Sequence, residues 1–240
     1  MKVLDIDLDY FLNDIALHRT DSGNRLSSEY VPWGESEVRS FLELKCGLSL
    51  HRKLKGKIIR HHDESFNIWR DMHLNDEINN GLEVTHIDAH ADLGLGDSGW
   101  VEIMTDLLHK DVDDRVYPKK ISCGNYLAYA IACRWIKKLT YVTHPEWSDY
   151  CDIPWLLMKG FEDSSGAIQL KKYEKGTVPD VMNIKKIQPL SLEPEVPFNI
   201  VSNTDYKTSE QYEYLIIAQS PGYTPKSSDS LLELFKEYML

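Results

Sequence analysis

Three short stretches of this chain space carboxylates and imidazoles as metal chemistry requires. In Asp5-Ile6-Asp7-Leu8-Asp9-Tyr10-Phe11 the aspartates alternate. Alternate residues of a strand share a face, and carboxylates crowded on one face repel unless cations or donors neutralise them. In His86-Ile87-Asp88-Ala89-His90-Ala91-Asp92-Leu93 the two-residue spacing recurs at Asp88, His90 and Asp92. The third stretch, His61-His62-Asp63-Glu64, follows directly on Ile58-Ile59, and His62 is its candidate ligand. A hard divalent ion takes carboxylate oxygen, and an intermediate one takes imidazole as well. Two divalent ions would match the four charges of Asp7, Asp9, Asp88 and Asp92, with neutral His62 and His90 completing the shells. One ion would leave several aspartates uncompensated, so the pattern favours a binuclear site. Blander readings stand beside this one: an acidic edge strand at 5–9, a polar loop cap at 88–92 and structural histidines at 61–62.

The elements that must position these residues alternate. Strands are expected at 2–8, 57–61, 83–88, 139–144, 197–202 and 213–219. Helices are expected at 36–50, 65–79, 99–109 and 125–137, with a last one starting at Ser230, whose spacing to Glu233 is that of a capping box. Segment 150–196, rich in Gly, Pro and charge, reads as a less regular excursion with one short strand near 167–173. Such alternation predicts an α/β fold, a three-layer α/β/α sandwich around a mostly parallel sheet, in one domain over 1–240. Runs such as Leu215-Ile216-Ile217-Ala218 suit a sheet buried on both faces. In such sheets ligands bind beyond the carboxyl ends of strands, where all three stretches fall.

Composition narrows the partners. The chain has 240 residues, 42% hydrophobic and 27% charged, with a net charge of −11. That mix excludes wholesale disorder. The acidity argues against nucleic-acid or anionic-membrane binding and fits a cationic ligand or basic peptide. Cys46, Cys123, Cys133 and Cys151 include no CxxC pair, so neither a disulfide framework nor a zinc knuckle is expected, and a reducing cytoplasm is the simplest location. The acidic start of the chain does not read as a signal peptide, and no apolar run is long enough to span a membrane.

Taken together, the motifs resemble those of the arginase (ureohydrolase) superfamily. His86–Leu93 is similar to its DAHxD signature, Asp5–Phe11 to its second metal motif, and Ser122-Cys123-Gly124-Asn125 to its Ser-Gly-Asn turn. The combination with His-Asp-Glu at 62–64 and His144-Pro145-Glu146-Trp147 most resembles the branch containing peptide arginases, which convert arginine to ornithine in ribosomally made peptides. The resemblance implies that Asp7, Asp9, His62, Asp88, His90 and Asp92 hold two Mn²⁺ per chain. It also implies that a bridging hydroxide attacks the guanidinium carbon, with Asp92 orienting it and carrying its proton. His144 is the available proton carrier, and Glu64 an acid/base or guanidinium partner. Glu146, Asn125 and Gln219 are the implied substrate contacts. For His144 a loop histidine bonded to backbone, and for Glu64 and Glu146 a solvated charge, are the alternatives. The implied partner is an arginine-containing precursor peptide.

This chain departs from the superfamily pattern in three ways. The aspartate-pair strand comes first, so the motif order is rotated. Leu127 stands where the mobile histidine is found, and the guanidinium-gripping glutamate has no clear match. In the loop Leu93–Gly99, three glycines in seven residues suggest a small, adaptable loop and an open mouth that a peptide backbone could cross. The rival readings are a zinc deacetylase-like amidohydrolase with one metal, a ureohydrolase acting on free arginine or another guanidino compound, and a metal-binding interaction protein without turnover.

Overall fold

Every strand of the central sheet but one runs parallel to its neighbours, so the carboxyl ends gather along one edge. The computed structural model describes residues 1–20, 24–94, 98–148 and 154–240. The strands are β1 (Lys2–Asp7), β2 (Lys55–Ile59), β3 (Leu82–Asp88), β4 (Ile136–Thr143), β5 (Ala167–Ile168), β6 (Lys171–Lys172), β7 (Ser191–Leu192), β8 (Val196–Ser202) and β9 (Tyr214–Ala218). The seven-stranded sheet has the order β2-β9-β1-β3-β4-β8-β5, with β5 alone antiparallel. β6 and β7 form a separate antiparallel pair. The helices are α1 (Glu35–Leu44), α2 (Glu64–Leu74), α3 (Gly99–Thr105), α4 (Tyr126–Ala132) and α5 (Ser230–Lys236).

The apolar pattern of β1 explains its central place. Val3 packs with α2, α3 and α4 on one face, while Leu4 and Ile6 pack with α1 and α5 on the other. A strand apolar on both faces is stable only between two helical layers. The fold is therefore a three-layer α/β/α sandwich. All seven residues of α4 are buried. Phe66 and Trp69 of α2 and Phe41 of α1 each withdraw a large ring from water, worth roughly 1.5–3 kcal/mol apiece. β2 approaches β9 closely through Gly56, where an added Cβ would stand 2.2 Å from the Leu215 carbonyl oxygen.

Several boundaries differ from the sequence reading. The helix expected over 36–50 stops at Leu44, and Gly47 follows with φ +69°. The helix expected to reach 137 stops at Ala132, because Arg134 takes φ +60° and Trp135 folds its N–H back onto the Ala130 carbonyl. Ser230 and Glu233 form no capping box. The Ser230 hydroxyl donates to the Ser227 carbonyl, and a 3-10 turn, Lys226–Asp229, leads into α5. The excursion carries three short strands, β5, β6 and β7, rather than one. Its polar anchor is Lys171, buried, whose ammonium donates to the carbonyls of Leu156, Met158 and Gln169. Among the described residues no helix is long and apolar enough to cross a membrane.

Candidate metal centre

Strand register alone brings the first two acidic stretches together. β1 and β3 pair Asp5 with His86, and β3 and β4 pair Asp88 with Thr143. Asp5 and Asp7 therefore lie on the α2–α4 face, beside His86 and Asp88 respectively. Asp7 then caps the 3-10 turn Leu8–Phe11, its Oδ1 accepting from the Asp9 N–H at 3.0 Å. That turn carries Asp9 towards Ala89, whose N–H reaches Asp9 Oδ1 at 3.4 Å.

His62 stands just before α2. Its Nε2 donates to Asp5 Oδ2 at 3.1 Å, which turns Nδ1 the other way. There it meets Asp88 Oδ2 at 2.9 Å, Asp7 Oδ2 at 3.2 Å and Asp92 Oδ2 at 3.3 Å. None of these contacts has hydrogen-bond direction, so a buried nitrogen faces three carboxylates without a partner. His90 is oriented alike, except that its Nδ1 is hydrogen-bonded to Asp9. Its Nε2 donates to the Ala16 carbonyl at 3.2 Å, while Nδ1 lies 3.1 Å from Asp9 Oδ2 and 3.7 Å from Asp88 Oδ1. One ring nitrogen of each histidine is committed to the scaffold and the other faces carboxylates, the orientation that ligating histidines need. Asp7, His62 and Asp88, and likewise Asp9, Asp88 and His90, offer donor atoms close enough to hold an ion.

Behind this layer lies a polar web that the sequence reading passed over. The Asp5 carboxylate accepts from Ser65 Oγ at 3.1 Å and Tyr126 OH at 2.5 Å as well as from His62, and His86 Nδ1 stands 3.3 Å away. Burial works against its charge, but His62 and His86 beside it hold it well below the usual carboxylate range. His86 also donates from Nε2 to the His90 carbonyl. The two-residue alternation held a signal for both: Asp5 continues Asp7 and Asp9, and His86 continues Asp88 and His90. Ser220 and Tyr223 had none. Ser220, at φ +44°, donates a short hydrogen bond to Asp7 Oδ2. The Tyr223 ring lies 4.9 Å from that of His90. Both line a cavity of about 170 Å³ over the carboxylates, with Leu17, Leu93, Cys123 and Gly124.

No family model and no curated protein matches this chain.

Five sequence candidates are engaged elsewhere. Glu64 is the first residue of α2, and its Oε1 accepts from the N–H groups of Arg60 and His61; it binds backbone rather than facing the cavity. His144 has both ring nitrogens committed, Nε2 donating to the Leu12 carbonyl and Nδ1 accepting from the Glu146 N–H. Burial lowers its pKa, so it is a neutral, tethered loop histidine rather than a mobile proton carrier. Glu146 is exposed and lines no part of this cavity. Asn125 ties down its own loop, accepting from the Ser122 N–H and donating to the Lys120 carbonyl. Gln219 donates to Asp229. Of the loop Leu93–Gly99, Leu95–Asp97 lie outside the described residues, as does Cys151.

Crowding makes the metal-free centre pH-sensitive. Burial and then Asp88 push Asp92 up to about 7. His62 and His90 are raised well above their ordinary range, because their neighbouring carboxylates outweigh burial. In all three the folded state holds protons that the unfolded chain gives up sooner, so stability falls as pH rises. For Asp92 the loss runs from about 4 to about 7, and for the histidines it lies above 6.5. His144 acts oppositely, but only below 6.5. The metal-free protein should therefore melt progressively lower from pH 6 to pH 9 in differential scanning fluorimetry. A melting temperature that climbs over this range would contradict the electrostatic picture.

Proposed function

We propose that this chain is a binuclear manganese hydrolase that removes urea from arginine side chains within a peptide and leaves ornithine. The supporting observation is the division of donors around Asp88: Oδ2 lies beside His62 Nδ1 and Oδ1 beside His90 Nδ1. His62, Asp7, Asp88 and Asp92 would hold one ion, and His90, Asp9 and Asp88 the other. The partnerless Nδ1 of His62 fits this assignment, since a buried nitrogen among carboxylates is stabilised by a cation. When bound, such a pair of ions activates water at neutral pH and polarises the carbon under attack.

The chain supplies the rest. Water adds to the guanidinium carbon, the bond to Nε breaks, and Nε leaves as an amine once it gains a proton. Asp92, whose carboxyl burial and then Asp88 push up to about 7, would accept the proton from water and pass it on. Tyr223 offers a ring face to a guanidinium, a contact worth roughly 0.5–2 kcal/mol. Leu17 and Leu93 wall the cavity with apolar surface.

A peptide substrate is favoured over free arginine by what the cavity wall omits. Among the described residues lining it, no Lys or Arg is present, so an α-carboxylate would meet carboxylates without a countercharge. Urea release with Mn²⁺ should be about 100-fold better in kcat/KM for an internal arginine than for free arginine. Equal turnover of the free amino acid would remove the peptide assignment, and no urea from either substrate would remove the reaction. A zinc amidohydrolase is the second reading. It is favoured by Tyr223, a late tyrosine against the cluster. One tight zinc per chain in metal analysis, with no manganese activation, would establish it.

A further inference from the structure

A second cavity, of about 460 Å³, lies along α3 and the turn after it, lined in part by Lys110, Lys119, Lys120 and Lys175. These four are exposed, and among the described residues no acidic group lies within ion-pair distance of any of them. Some lysines elsewhere are paired, as Lys2 is with Glu210, Lys159 with Glu195 and Lys236 with Glu233; others, such as Lys53, Lys57 and Lys207, are exposed singly, and what sets these four apart is that they share one concavity. The two acids in the cavity wall are turned to other donors. Glu102 accepts from the Tyr129 hydroxyl and the Lys119 N–H, and Asp106 from the Thr105 hydroxyl. Asp113 and Asp114 lie on a separate 3-10 turn outside the lining. In a chain of net charge −11, four ammonium groups against the two carboxylates of Glu102 and Asp106 leave this lining with a formal excess of positive charge, a local field of opposite sign that attracts anions.

The position of this cavity relative to the carboxylate cluster gives it a use. Lys120 lines the basic cavity, and Cys123 and Gly124 line the acidic one. Three residues span at most about 11 Å. Asn125 fixes the connecting turn by bonding to both Lys120 and Ser122. The two walls thus share one short segment, and about three extended peptide residues suffice to reach from Lys120 to Cys123.

We infer that the basic cavity is a specificity subsite for an acidic flank of the substrate peptide, whose Asp or Glu side chains lie three to five residues from the arginine that enters the carboxylate cluster. This rests on the reading of the cluster as a site for peptidyl arginine. It also answers a difficulty in that reading. An acidic protein attracts any basic peptide, and a subsite of opposite sign selects peptides whose charge is mixed and correctly spaced.

The experiment uses the manganese-loaded protein and the Lys119→Glu/Lys175→Glu double variant, whose changes are exposed and spare the core. The first arm compares turnover of a peptide carrying Glu-Glu four positions from its arginine with that of its Gln-Gln counterpart. The wild type should favour the Glu peptide about ten-fold in kcat/KM through KM, and the double variant should lose or reverse the preference at unchanged kcat. The second arm measures fluorescence anisotropy of an arginine-free Glu-rich peptide bearing an uncharged dye. It should bind the wild type, bind the double variant at least ten-fold more weakly, and be released by added NaCl. Binding in the second arm with no urea from any peptide would leave the subsite standing and remove the proposed reaction. The inference is overturned if the arginine-free peptide does not bind, if the double variant binds it equally well, or if only inorganic pyrophosphate binds, which would mark a small-anion site.

Discussion

Asp88→Ala should abolish metal loading and reduce urea release by at least about 10³-fold, the scale on which removal of a central electrostatic group acts. Asp88 is the one side chain that faces both histidine nitrogens, so losing it disables both donor sets at once. Its Oδ1 also accepts the His90 N–H at 2.8 Å and sets the bend after β3, which makes Asp88→Asn the isosteric control. The metal-free variant should fold, because the two apolar layers on either side of the sheet, which Asp88 does not join, are unchanged. Circular dichroism checks the fold, and metal analysis should count fewer than one ion per chain. Glu64→Gln is the contrast: its carboxylate serves backbone donors at the start of α2, so turnover should stay within about two-fold while stability drops by about 0.5–2 kcal/mol. Full activity in a folded Asp88→Ala protein would remove the metal centre from the argument.

Asp5→Asn should be the most damaging change that leaves every cavity-lining residue in place. The amide keeps the shape of the carboxylate but lacks its charge and can accept through only one oxygen. His62, Tyr126 and Ser65 all donate to Asp5, and the imidazoles of His62 and His86 lose the anion that holds them. Breaking a buried pair from one side costs about 3–5 kcal/mol, or roughly 10 °C in melting temperature for a chain of this size. Freed from Asp5, the His62 ring can turn, and metal affinity should fall about 10–100-fold. Calorimetric metal titration and thermal melting test the two effects separately. An unchanged affinity would reduce Asp5 to a packing role.

Backbone alternation made the core of this centre legible. Asp7 and Asp88 end strands whose apolar residues specify central parallel positions, and Asp9, His90 and Asp92 follow within four residues, brought in by the 3-10 turn after β1 and the bend after β3. The same logic extended to Asp5 and His86, whose role becomes visible only when register sets them side by side. The partners of the auxiliary residues were less legible, for a different reason. A strand-end position was inferable for His144, but its partner is the Leu12 carbonyl, 132 residues away. Gln219 turns to Asp229, and no local pattern says so. Ser220 and Tyr223 sit in an irregular turn whose course depends on β9 docking between β1 and β2. Helix lengths were overestimated where a single residue, such as Arg134, adopts positive φ to start the next strand.

The place of β1 has a consequence for biosynthesis. One of its two neighbours, β9, pairs Val3 with Tyr214 and so emerges long after it. Until then β1 has a bare hydrogen-bonding edge and two apolar faces, and such an edge invites wrong partners. Pairings this far apart in sequence form slowly. The carboxylates at the tip of β1 oppose premature closure through their mutual repulsion. Ser220, which bonds Asp7, arrives only with the turn after β9. Any cation capture there would thus wait until β9 and its following turn have docked, and a bound ion would act as a latch that slows their release.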